Sequence, residues 1–122
     1  MTLSAMRLDD AAPDGASEVD VLDRVFFALS DPVRRAILDR LDAGSLLVSE
    51  LAAPFSISLQ AVSRHIQVLA RAGLVRQRRS GRISRCSLET EPIFAAAVWI
   101  NRYSKSLLSG VMRTIGAEVP IL

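Results

Sequence analysis

Apolar positions recur along this chain at helical and at alternating spacing, and the changes of period mark its elements. Leu22, Val25, Phe26 and Leu29 share one face of a first amphipathic helix over residues 19–29. Asp31-Pro32 then supplies an N-cap and a proline at the first helical position. A second helix opens there and runs to about Leu41, with Val33, Ile37 and Leu41 on one face and Gly44 just past its end. Leu46 to Val48 reads as a brief extended piece, followed by a short helix around Ser49 to Phe55 despite Pro54. The most sharply bounded element is SLQAVSRHIQVLARAG, Ser58 to Gly73. Ser58 is a good N-cap, Gly73 a good left-handed residue beyond the end, and Leu74 the apolar residue a Schellman stop prefers. Leu59, Val62, Ile66, Leu69 and Ala70 form its apolar stripe, while Gln60, Arg64, Gln67 and Arg71 stand opposite.

A short helix, a tight turn and a polar-faced helix make a helix-turn-helix. Beyond it, Leu74 to Arg79 and Arg82 to Leu88 flank Ser80-Gly81, which predicts a β-hairpin with an arginine-rich tip. With Ser80-Gly81 as the turn, Arg76 lies opposite Arg85 on one face and Val75 opposite Cys86 on the other. Pro92, preceded by Glu91 as N-cap, opens a final helix running at least to Leu108. Phe94, Ala97, Val98, Ile100, Tyr103, Leu107 and Leu108 make it apolar over most of its circumference. Such a helix needs two surfaces to bury against, its own domain and a second copy. Residues 1–18 read as a flexible acidic arm, 19–110 as the folded domain and 111–122 as a tail. The predicted fold is mainly α with a small β-hairpin wing.

Composition sharpens this picture. A chain of 122 residues builds one domain. Half of it is apolar and its mean hydropathy is +0.29, so an apolar surface covered by a second copy is expected. No apolar run approaches the ~18 residues of a membrane span, and acids stand where a signal peptide has its apolar core, so a cytoplasmic protein without membrane contact is expected. The net charge of +2 conceals a split. Residues 1–31 hold seven acids against two arginines, whereas Leu51 to Leu88 hold seven arginines and no Asp or Glu. Such a block repels itself unless an anion lies across it, and a polyphosphate chain is the obvious anion. Long amide and guanidinium groups on an acid-free helix face are those that reach adenine and guanine edges in a major groove.

Few residues support other chemistry. His65 is the one histidine and lies between the buried and polar faces, suited to a phosphate contact or to packing. Cys86 is the one cysteine. Its inward register suggests a small buried hydrophobe, the alternative being a redox switch tuned by nearby arginines. Trp99 and Tyr103, four apart, suit dimer-core packing or an effector pocket between protomers. No acid-base cluster accompanies the single His and Cys, so no enzyme is expected.

The segments ALSDPVRRAILDRL (Ala28 to Leu41), SELAAPF (Ser49 to Phe55) and AVSRHIQVLARAGLV (Ala61 to Val75), with the SGR turn, closely resemble the signature stretches of the ArsR-type winged helix-turn-helix repressors. The resemblance covers roughly residues 20–110. It implies a homodimer joined through the first and last helices, here with Leu22, Phe26, Phe94, Val98, Trp99, Tyr103 and Leu107 at the interface. It also implies repression by occluding a promoter, the two recognition helices entering successive major grooves of operator DNA. Contacts would come from Ser58, Gln60, Ser63, Arg64, His65 and Gln67 in the recognition helix and from Arg78, Arg79 and Arg82 in the wing. Two departures bear on the effector. Where the family's metal sensors often place two cysteines, this chain has Leu47 and Ser49, and from Pro92 to Ala117 it has no His, Asp, Glu or Cys. A metal-independent member with no cofactor and an unknown effector is therefore expected. The alternatives are a thiol- or small-molecule-responsive sensor of the same fold, and a winged-helix protein-interaction module whose arginines meet an acidic partner.

Overall fold

The computed structural model describes residues 17–115. Helix α1 (Glu18–Leu29) is capped by Ser17, whose Oγ accepts from the Asp20 N–H at 3.2 Å. The helix thus starts one residue earlier than its apolar pattern suggests, inside what was read as the arm; residues 1–16 of that arm lie outside the described residues. Helix α2 (Pro32–Asp42) follows the expected cap, with Asp31 Oδ1 accepting from Val33 N–H at 2.8 Å and Arg34 N–H at 3.2 Å. Strand β1 (Leu46–Leu47) leads into α3 (Val48–Ala52), where Glu50 Oε1 accepts from the Leu47 N–H at 2.7 Å and ties down the entry. Helix α4 (Leu59–Arg71), strands β2 (Val75–Ser80) and β3 (Ile83–Leu88), and helix α5 (Glu91–Ile100) complete the winged domain.

The expected single terminal helix is broken. α5 ends at Ile100, a 3₁₀ turn covers Asn101–Tyr103, and α6 (Ser104–Ile115) continues past residue 111, where the tail was expected to begin. Across this turn the backbone bonding tightens, the Ser104 N–H reaching Asn101 O three residues back. Thr90, rather than Glu91, occupies the N-cap of α5 and makes no side-chain cap bond. Residues 116–122 of the expected tail lie outside the described residues.

The strands form one antiparallel sheet in the order β1-β3-β2. Its register corrects the sequence expectation by two residues: Arg78 pairs with Arg85, Gln77 with Cys86 and Ser80 with Ile83, so the loop is Gly81-Arg82. Gly81 has φ +62° and Arg82 does not have a positive φ, which together make a type II′ turn with glycine first. Reading glycine second in the loop moved the turn by one residue and the pairing by two. Side chains alternate with period two, so Val75 and Cys86 still share the inward face, and two arginines still oppose each other on the outer one.

One core unites Ile37, Leu38 and Leu41 of α2, Leu51 of α3, Val62, Ile66 and Leu69 of α4, and Leu74, Val75 and Cys86 near the sheet. The stripe on α4 is narrower than its periodicity suggests. Leu59 is exposed, because α4 projects beyond the core at its N-terminus, and Ala70 near the other end is only half-buried. α1 packs against α5, α3 against α4, and α4 against β2.

Candidate nucleic-acid interface

α4 is fixed at both ends by its own sequence. Ser58 Oγ accepts from the Ala61 N–H at 3.1 Å. At the other end the Leu74 N–H reaches Leu69 O at 2.9 Å and the Gly73 N–H reaches Ala70 O at 3.0 Å, the two bonds of a Schellman stop. Gly73 holds φ +77°, and a Cβ there would lie 3.2 Å from Pro92 Cγ. The stop therefore sets both the end of α4 and the departure of β2. With Val62, Ile66 and Leu69 pinned in the core, Gln60, Arg64, Gln67 and Arg71 are left exposed, Ser58 is exposed at the cap, and Ser63 is half-buried.

An open groove of about 320 Å³ separates α4 from the wing, lined by Ser63, Gln67, Gln77, Arg79 and Ser84. Three expected contact residues, Ser63, Gln67 and Arg79, are thus brought together. Gln77 was missed. It holds Ser84 Oγ through Nε2 at 2.7 Å, and its position two residues after buried Val75 places it on the same face of the strand. Arg78 falls on the opposite face, paired across the strands with Arg85, and does not line the groove. Arg82 occupies the exposed turn. The arginines of the wing are not all free of acid: Arg76 lies 3.4 Å from Glu89, just beyond the acid-free stretch, and Arg85 donates to Ser45 Oγ at 3.1 Å.

His65 is positioned from beneath. Arg34, only 7% exposed, donates from Nε to Ala28 O at 2.8 Å and from Nη2 to Phe27 O at 2.9 Å. Its Nη1 lies 3.1 Å from His65 Nδ1, and its guanidinium sits 5.0 Å over the Phe27 ring. A guanidinium has no acceptor, so the contact is a hydrogen bond only when Nδ1 carries no proton, which leaves Nε2–H as the one donor the ring can turn toward a ligand. Arg34 thereby joins the end of α1, the start of α2 and the middle of α4. Beside it, Asp31 feels burial that raises its pKa. The backbone N–H groups of Arg34 and Val33, with the positive charge nearby, outweigh it and lower the carboxyl below its ordinary value. Cys86 is completely buried, and burial pushes its thiol pKa up, the reverse of what a reactive thiolate needs. Among the described residues, no group of three or more His, Cys, Asp and Glu is placed to hold a metal ion.

The outer faces of α1 and α5 carry a different surface. Phe94 is 69% and Val98 54% exposed, and Phe26 and Tyr103 are exposed beside the half-buried Leu22 and Trp99. Trp99 makes edge-on contacts with Phe26 at 5.7 Å and Tyr103 at 5.4 Å, tying α1, α5 and the 3₁₀ turn together. The side chain of Leu107 lies outside the described residues. No helix among the described residues is long and apolar enough to cross a membrane.

This architecture has close counterparts. A profile of the helix-turn-helix domain family matches residues 29–78. The HTH-type transcriptional regulator Rv2034 of Mycobacterium tuberculosis is 38% identical over 96 residues, spanning 79% of this chain and 90% of the relative. The crystal structure of an ArsR family transcriptional regulator, RHA00566, superposes with a TM-score of 0.69 at 39% identity, covering 72% of this chain and 91% of that one. The chain belongs to the ArsR family. The transcriptional repressor SdpR of Bacillus subtilis is likewise similar to this ArsR-family protein, 34% identical over 79 residues that cover 65% of the chain and 88% of the relative. Membership makes it a DNA-binding transcriptional regulator rather than an enzyme. In its winged helix-turn-helix, α4 is the recognition helix and β2-β3 the wing.

Proposed function

We propose that this ArsR-family protein is a homodimeric repressor that reads an imperfect inverted repeat and blocks transcription initiation by occupying the promoter. The observation that carries the reading is the joint surface of α4 and the wing: Gln60, Arg64 and Gln67 are exposed on α4 and Arg79 and Arg82 on the wing, Gln67 and Arg79 line the groove between the two elements, and no acid occurs between Leu51 and Leu88. Ser58, Gln60, Ser63, Arg64 and Gln67 meet base edges and the adjoining backbone. Arg79 and Arg82 follow the phosphates, Arg78 contacts them from the outer face of the wing, and His65 offers Nε2–H. A repressing outcome is supported by the relative named as a transcriptional repressor. The dimer forms through Leu22, Phe26, Phe94, Val98, Trp99, Tyr103 and Leu107, the exposed members of which have too much apolar surface to leave wet. It acts in the cytoplasm, beside the DNA, without a metal. The buried, protonated Cys86 argues against a thiol switch.

The test is selection of bound duplexes from a random pool by the purified protein. The expected product is a two-fold symmetric motif with half-sites about 10 or 20 base pairs apart, centre to centre. Absence of any enriched sequence would contradict DNA reading, and a lone asymmetric half-site would contradict the dimeric mode.

A further inference from the structure

Leu59 opens α4 and is 53% exposed, although helical spacing puts it on the stripe whose other members Val62, Ile66 and Leu69 are completely buried. The core ends a turn short of it. Ile57, on the other side of the cap residue Ser58, is exposed as well. Two branched aliphatic side chains therefore flank the N-terminus of the helix whose next outward residues are Gln60 and Arg64, in a stretch with arginines and no acid. An occupant that matches this corner is anionic overall and also presents an apolar group. Duplex DNA meets both demands at one place, because the C5-methyl of thymine is the apolar group displayed in the major groove. The N-terminal residues of a recognition helix are also those that reach base edges.

We infer that Leu59 is a specificity-determining residue that packs on a thymine C5-methyl in each half-site. The inference rests on the DNA-reading role proposed for α4. Gln60 and Arg64 supply hydrogen bonds to neighbouring bases, and Leu59 supplies the contact that separates thymine from cytosine, which has only hydrogen at C5. Complex formation then covers a leucine that the free fold leaves wet, so specificity is gained without disturbing the core.

Replacing thymine by uracil removes that methyl and leaves base pairing intact. Each thymine of a duplex enriched in the selection is replaced in turn, and binding is followed by fluorescence anisotropy for the wild-type protein and for Leu59→Ala. Because Leu59 lies outside the core, the variant should match wild type in thermal unfolding. One thymine per half-site should emerge at which uracil weakens the wild-type protein about fourfold, the weight of one buried methyl, and leaves Leu59→Ala unaffected. If no thymine shows this pattern, or if Leu59→Ala keeps the full sensitivity, the inference is overturned while DNA reading stands. If no sequence is enriched at all, the DNA-reading role fails and the inference falls with it.

Discussion

Arg34 shows how a single residue can organise a fold while looking like surface in the sequence. Residue type does not distinguish Arg34 from Arg35, yet Arg34 lies three and four residues before Ile37 and Leu38 and seven before Leu41, on the buried stripe of α2. That spacing was the available signal. Its planar fork satisfies two backbone carbonyls at the end of α1 and the Nδ1 of His65 together, which an ammonium cannot do. Replacement by methionine should lower unfolding free energy by about 2–4 kcal/mol, because buried acceptors lose their donor. Urea denaturation measures this. Lysine should recover only a minor part; a lysine variant as stable as wild type would show that charge alone, not the fork, is what the site needs. His65 and Cys86, by contrast, were read from their isolation, and both are now placed: one held by Arg34, the other sealed beneath the sheet.

At the scale of elements, legibility followed locality. α4 declared itself through Ser58, Gly73 and a clean apolar stripe, all within sixteen consecutive residues, and the structure honours both caps. The hairpin was recognisable but its register was not. Gly81 can serve in either loop position, but with Ser80 ahead of it the serine would itself need a positive φ, so glycine takes the first place. The break at Asn101 was hidden by an apolar pattern that runs on through both helices. Recognition helix and wing should divide their work. Arg64→Ala should cost about 1–3 kcal/mol on the selected duplex and relax sequence preference there. Arg82→Ala, which removes the proposed phosphate contact, should weaken selected and scrambled duplexes alike. Titrating both variants against both duplexes tests the division, and equal loss of discrimination by the two would refute it.

The whole molecule presents two surfaces with different demands. Along α1, α5 and the 3₁₀ turn, Phe26, Phe94, Val98 and Tyr103 are exposed, in a chain whose mean hydropathy is +0.29. Along α4 and the wing, arginine predominates, with Glu89 at the wing's end beside Arg76, a distribution that a net charge of +2 hides. A second copy on the first surface doubles the second, and a doubled basic surface that also carries base-reading groups suits a symmetric operator. Composition revealed that both surfaces must exist, whereas the groove between Gln67 and Arg79 required the sheet to be built. The most direct test of specific DNA reading is fluorescence anisotropy of the purified protein against a selected duplex and a scrambled one across a salt series. A dimer neutralising ~6 to 8 phosphates should lose affinity for both with a log-log slope of about −5 to −7, and the selected duplex should bind at least ~10³-fold more tightly at each salt concentration. Equal affinity for the two duplexes throughout the series would contradict the account.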